Sequence, residues 1–145
     1  ECAKSDRDVA LIADGGIRNS GDICKALAAG ADFVMLGSML SGTDEAPGDK
    51  HFDSRTGKFY KAYRGMASVE AQIDWRGHTS SVEGVASTVD YKGPVQSVLT
   101  DITRGVKSGL SYSGARTIRE FQARSQMIRI TSSGMAESRT HILNT

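Results

Sequence analysis

Asp14-Gly15-Gly16-Ile17-Arg18-Asn19-Ser20-Gly21-Asp22 decides how this chain is read. It follows the apolar run Val9-Ala10-Leu11-Ile12-Ala13 and precedes a helix-like run from Ile23 to Ala29. A strand, a glycine turn and a helix in that order form a corner that can hold a phosphate. Glycine lets backbone N–H groups approach an anion closely, and the next helix N-terminus adds partial positive charge. Such turns also occur without a ligand, so the corner gains weight from a second one. Phe33-Val34-Met35-Leu36 follows Gly30-Ala31-Asp32 and ends at Gly37-Ser38. Strand, helix and strand with such short connections predict a parallel α/β pair.

Val9–Ala13 and Phe33–Leu36 read as strands buried in a parallel sheet. Ser20 reads as the N-cap of a helix from about Asp22 to Ala29, with Gly30 as its stop. Residues 41–58 are rich in Gly, Asp, Ser and Thr and read as a surface excursion. Lys58–Arg64 and Ser87–Lys92 predict short strands that could pair, with a short helix over Ser68–Trp75 and a mobile loop over Arg76–Ser81 between them. Pro94 suits the first position of a helix reaching about Val106. Arg116–Arg124 predicts another helix, and Met127–Thr131 a short strand or extended segment. Ser132–Thr145 reads as a polar tail that is ordered only if it docks.

The composition narrows the function. The chain has 145 residues, 39% hydrophobic and 24% charged, which fits one soluble globular domain with a core. A net charge of +1 with scattered Lys and Arg argues against a nucleic-acid surface. No apolar run approaches the ~18 residues of a membrane span. Cys2 and Cys24 lack metal-type spacing and read as free thiols, which with no visible export signal gives a cytoplasmic expectation. The chain opens at Glu1-Cys2-Ala3-Lys4 and reaches a core strand at once, so it reads as part of a longer domain.

Asp14, at the C-terminal end of the first strand, lies where parallel α/β folds bind ligands. Its carboxylate can accept two hydrogen bonds from a ribose diol, or it can serve as a turn aspartate. Gly15, Gly16, Gly37 and Ser38 can give N–H groups and a hydroxyl to one phosphate, or form two ordinary turns. In Tyr63-Arg64-Gly65-Met66-Ala67-Ser68 the phenol can donate to a phosphate, and the Gly65-Met66 backbone can read a flat base. Met66 could equally be core packing. Glu83, beside Gly84, is a solvated turn residue unless its loop folds over the same pocket.

Together these segments resemble the IMP dehydrogenase/GMP reductase family. Asp14 to Leu27 is similar to the family's seventh-strand corner, and Gly30 to Ser38 with Gly42-Thr43-Asp44-Glu45-Ala46-Pro47-Gly48 to its eighth strand and the turn beyond. Tyr60-Lys61-Ala62-Tyr63-Arg64-Gly65-Met66, Glu83-Gly84-Val85, Tyr91-Lys92-Gly93-Pro94, Gly105 to Ala115 and Arg129-Ile130-Thr131 continue the match in order. Glu137-Ser138-Arg139-Thr140-His141 resembles the family's acidic-histidine tail.

The resemblance implies the last two βα units of a (β/α)8 barrel, with a flap excursion at about 42–93 and a polar tail at about 132–145. It implies a purine nucleoside monophosphate (GMP or IMP) as substrate. It assigns Asp14, Gly15, Gly16, Gly37, Ser38, Tyr63, Gly65, Met66, Ala67, Glu83 and Gly84 to substrate binding, with Glu83 also in proton relay. It further implies a nicotinamide cofactor, a homotetramer, and a monovalent cation such as potassium near Glu137 and Ser138, although that stretch could also be a disordered end. The family's nucleophilic cysteine belongs to a loop that matches neither Cys2 nor Cys24, so no catalytic cysteine is assigned and the chain alone is expected to be inactive.

Two chemistries divide the family. The dehydrogenase oxidises IMP with NAD and uses a flap Arg-Tyr pair to activate water. The reductase expels ammonia from GMP with hydride from NADPH and lacks that pair. Between Met66 and Tyr91 the only arginine is Arg76, and Gly77 follows it, which favours the reductase with NADPH. Glu1-Cys2-Ala3 points the same way. Ser38, Glu45-Ala46-Pro47-Gly48, Tyr63-Arg64-Gly65 and the 137–141 tail look more like the dehydrogenase with NAD. A catalytically silent nucleotide-binding or assembly module is a third reading.

Overall fold

The computed structural model describes residues 9–66, 68–79 and 86–138. Strand β1 (Ile12–Ala13) pairs in parallel with β2 (Phe33–Val34), Ile12 opposite Phe33 and Ala13 opposite Val34. The crossover is helix α1 (Ser20–Ala28). The Leu11 N–H donates to the Asp32 carboxylate at 2.8 Å, and the Met35 N–H to the Ala13 carbonyl at 2.8 Å, so the pairing extends past both strand ends. Parallel register carries Asp14 and Met35 out of the same edge.

Asn19, not Ser20, caps α1: its side chain accepts the Asp22 N–H at 2.9 Å from an extended backbone. Ser20 instead lies in the first turn, against α4 (Val95–Tyr112). There the helices approach through glycine. A Cβ on Gly105 would fall 2.1 Å from Ser20 Oγ, and one on Gly109 2.5 Å from Cys24 Sγ. Buried Ile23 and Leu27 of α1 meet Ala115, in the turn after α4, and Phe121 of α5 (Ile118–Arg124) to form the core. Full burial of each large apolar side chain stabilises by about 1.5–3 kcal/mol.

The strands differ from the expectation of full burial. Ile12 is 54% and Phe33 62% exposed, because a two-stranded pair with helices against one side leaves its other side uncovered.

The 41–58 excursion holds more order than its composition suggests. After the short helix α2 (Ser38–Ser41), β3 (Lys50–Asp53), β4 (Lys58–Arg64) and β5 (Ala86–Asp90) form an antiparallel sheet in that order. Gly57, at φ +67, turns β3 into β4. Helix α3 (Val69–Arg76) lies between β4 and β5 in sequence, with the Ser68 hydroxyl accepting from the Ala71 N–H. Pro94 is the N-cap of α4 rather than its first helical residue, and the helix runs on to Tyr112. The expected tail begins with helix α6 (Ser132–Glu137), capped by Thr131. Among the described residues no helix is long and apolar enough to cross a membrane.

Candidate functional site

The site starts at the shared edge of β1 and β2. Asp14 stands exposed directly after β1. Gly15 and Gly16 follow at φ +90 and +75, in the left-handed region that glycine adopts without strain. A Cβ at either position would meet nothing within 4 Å, so crowding does not require glycine there. The backbone conformation does, and it leaves that peptide chain bare towards open space.

The corner is fixed from behind by Asp22. Its carboxylate accepts the Arg18 N–H at 3.1 Å and the Lys25 ammonium at 2.8 Å. These donors, Lys25 foremost, hold the Asp22 carboxyl below its ordinary pKa.

The second corner follows β2. Gly37 leads into Ser38, the first residue of α2, where leading N–H groups have no acceptor within the helix. Tyr63 comes to it from β4: a Cβ on Gly37 would lie 3.0 Å from the Tyr63 hydroxyl. Thus the antiparallel sheet delivers a phenol to the corner that ends the parallel pair. Gly65 and Met66 follow β4, and Met66 is 67% exposed in this chain. Ala67, Glu83 and Gly84 lie outside the described residues.

Two residues that sequence reasoning passed over hold these parts together. Lys61 is only 4% exposed and donates to the Thr43 and Ala46 carbonyls at 2.9 and 2.5 Å. Lys92 donates to the Ser38 and Met39 carbonyls at 2.7 and 2.9 Å. Burial presses the Lys92 pKa below its ordinary value. The available signal for Lys61 is its position two residues before Tyr63, on the same face of a strand.

The turn after α2 is tied to α4 as well. The Tyr91 hydroxyl donates to Asp44 at 2.7 Å, and Glu45 accepts the Val95 N–H at 2.8 Å, capping the helix. Glu137 and Ser138 sit at the C-terminal end of α6, with the Ser138 hydroxyl donating to the Gly134 carbonyl at 2.7 Å. Terminal helix carbonyls lack intrahelical donors and are oxygen ligands of the kind alkali cations accept.

A parallel βαβ unit with glycine corners on both strand ends, beside an antiparallel sheet, is an α/β arrangement that can turn backbone N–H groups toward an anion. The comparisons with known proteins carry this further. A family model described as the IMP dehydrogenase / GMP reductase domain matches residues 1–141. Inosine-5'-monophosphate dehydrogenase of Nitrosopumilus maritimus (strain SCM1) is 46% identical over 155 residues, covering 97% of this chain and 32% of that protein. The Thermoplasma acidophilum protein of the same name is 45% identical, covering 96% and 30%. Among solved structures, a cysteine-to-alanine variant of GMP reductase from Trypanosoma brucei, in complex with guanosine 5'-monophosphate, matches with TM-score 0.82 and 48% identity. It is matched over 92% of this chain and 28% of its own.

The chain belongs to the IMP dehydrogenase/GMP reductase family, a family of purine-nucleotide oxidoreductases. It spans about 30% of the length of the curated relatives it matches. Its mixed α/β structure is part of that family's barrel fold, and two parallel strands do not themselves close a barrel.

Proposed function

We propose that the full-length protein carrying this chain is a GMP reductase, converting GMP and NADPH to IMP, ammonia and NADP. In this reading the chain supplies the phosphate and ribose site and the flap. Gly15, Gly16, Gly37, Ser38 and Tyr63 hold the phosphate, Asp14 the ribose diol, and the Gly65-Met66-Ala67 backbone the base. Glu83 and Gly84 are assigned to substrate binding as well, with Glu83 relaying a proton. NADPH supplies the hydride, and the cysteine that adds to purine C2 is provided by residues other than Cys2 and Cys24. The protein works as a cytoplasmic homotetramer, with carbonyls near Glu137 and Ser138 helping to hold a potassium ion.

The observation that carries the reductase reading is Arg76-Gly77. Gly77 ends α3 at φ +73, a left-handed conformation that strains a tyrosine, and Arg76 lies over the Trp75 ring at 4.4 Å. The arginine followed by tyrosine that a water-activating flap needs is absent at this turn, and a Cβ at Gly77 would meet nothing within 4 Å, so the backbone conformation alone favours glycine there. The reading is also supported by likeness to a GMP reductase bound to guanosine 5'-monophosphate.

The names of the Nitrosopumilus and Thermoplasma relatives favour a second reading, NAD-dependent oxidation of IMP. Assaying the full-length protein with GMP plus NADPH, and separately with IMP plus NAD, decides between them. Ammonia release with NADPH consumption supports the reductase. NADH formation from IMP without GMP turnover establishes the dehydrogenase, and nucleotide binding without either turnover establishes a silent binding module.

A further inference from the structure

We propose that Lys61 and Lys92 are positioning residues for nucleotide binding: their ammonium groups pin the 38–46 turn so that Ser38 and Tyr63 converge on one phosphate. The inference rests on the reading of the two glycine corners as a phosphate site.

The argument begins with α2. Four residues are too few for a helix to hold its own direction in water, so neighbouring groups must set it. Those groups come from the antiparallel sheet and the segment that follows it. Lys61 and Tyr63 are two apart in β4 and project from the same face. Tyr63 meets the front of the segment at Gly37, while Lys61 reaches its back, donating to the Thr43 and Ala46 carbonyls. Lys92, two residues beyond β5, covers the middle. Its ammonium donates to the Ser38 and Met39 carbonyls, and its backbone N–H to the Gly42 carbonyl at 2.9 Å.

The carbonyls of residues 38, 39, 42, 43 and 46 thus each accept a hydrogen bond from one of two lysines, those of Ser38 and Thr43 alongside the Ser41 hydroxyl and the Ala46 N–H. Charged donors make stronger hydrogen bonds than neutral ones. An ammonium on a flexible stem can also divide its donors between divergent carbonyls, which a planar guanidinium does less readily. A buried lysine is tolerated only where its donors are used. At 4% exposure Lys61 meets that condition with main-chain oxygens. The register this imposes is specific: shifting α2 moves Ser38 away from Tyr63, whereas Asp14 on the other strand is unaffected.

The test uses the full-length protein and compares Kd for GMP with Kd for guanosine, which lacks only the phosphate. Wild type, Lys92→Met and Lys61→Met are measured by calorimetry, with circular dichroism to establish that each is folded. Both variants are expected to weaken GMP about tenfold while changing guanosine by less than about twofold. Equal weakening of both ligands, or no change in GMP affinity, overturns the positioning role. A wild type that does not prefer GMP to guanosine overturns the phosphate-site reading itself, and the role with it. If Lys61→Met does not fold, the more exposed Lys92→Met decides the question by the same criteria.

Discussion

The Tyr63 hydroxyl lies 3.0 Å from the position a Cβ would take on Gly37. Tyr63 belongs to the antiparallel sheet and Gly37 to the segment after β2, and the docking of β4 on that segment brings them together. A methyl group on Gly37 is tight against the phenol, which must give way slightly to admit it. Gly37→Ala is expected to raise the nucleotide KM about fivefold to tenfold in the full-length enzyme, with Tm moving by only a few degrees, since the atom displaced is the end of a flexible side chain. Tyr63→Phe is expected to raise KM by about tenfold or more, the scale of a hydrogen bond to a charged group. Steady-state kinetics and a thermal melt on each variant check both expectations.

Asp14 faces the same edge from β1 and is exposed. Asp14→Ala is expected to raise the nucleotide KM about tenfold through lost ribose hydrogen bonds. The same substitution should have little effect on a 2',3'-dideoxy nucleotide, which has no diol to lose. A comparable loss for the dideoxy ligand would assign Asp14 to the turn instead.

The contact of α1 with α4 predicts a stability effect away from the site. A Cβ on Gly105 would lie 2.1 Å from Ser20 Oγ and 2.4 Å from Ser20 Cβ, so alanine there must push the helices apart. Overpacking costs about 1–3 kcal/mol, and the better helix propensity of alanine returns less than about 1 kcal/mol. Gly105→Ala is expected to lower stability measurably in urea denaturation. Adding Ser20→Gly, which removes the obstructing atoms, should recover part of the loss.

Asp22 predicts a pH dependence. Its carboxyl pKa is lowered in the folded state, chiefly by Lys25 and then by the Arg18 N–H. A depressed carboxylate pKa contributes stability above the unfolded value, and that contribution is lost as pH falls through the folded one. Asp22→Asn is therefore expected to lower Tm at pH 7. The difference from wild type should shrink as pH falls below about 4 and vanish once the native carboxyl is protonated. Paired melts from pH 7 to pH 2 measure this directly.

Much of this arrangement was legible in the residues. Lys58–Arg64 shows as a strand from its aromatic and alternating content, and the helix after Asp14-Gly15-Gly16 from its capping residues and apolar spacing. Asn19 displaced Ser20 as the cap because both are good N-caps in adjacent positions, and only backbone conformation chooses between them. Strand β3 was hidden in a polar stretch, since Lys50-His51-Phe52-Asp53 owes its conformation to pairing with β4. Helix α4 outran expectation because Gly105 and Gly109 look like helix stops but serve as contact points for α1. Gly37 and Tyr63 were both readable as candidates. Their meeting depends on long-range docking held by Lys61 and Lys92, which no local pattern encodes.

The central claim is that the corners after β1 and β2, with Tyr63, form one monophosphate cradle. The direct measurement is a crystal structure of the full-length protein with GMP. The phosphate is expected within hydrogen-bond distance, about 3 Å, of the Tyr63 hydroxyl, the Ser38 side chain and a backbone N–H of Gly15, Gly16 or Gly37. A phosphate bound away from both glycine corners, with Tyr63 making no contact to it, would contradict the account.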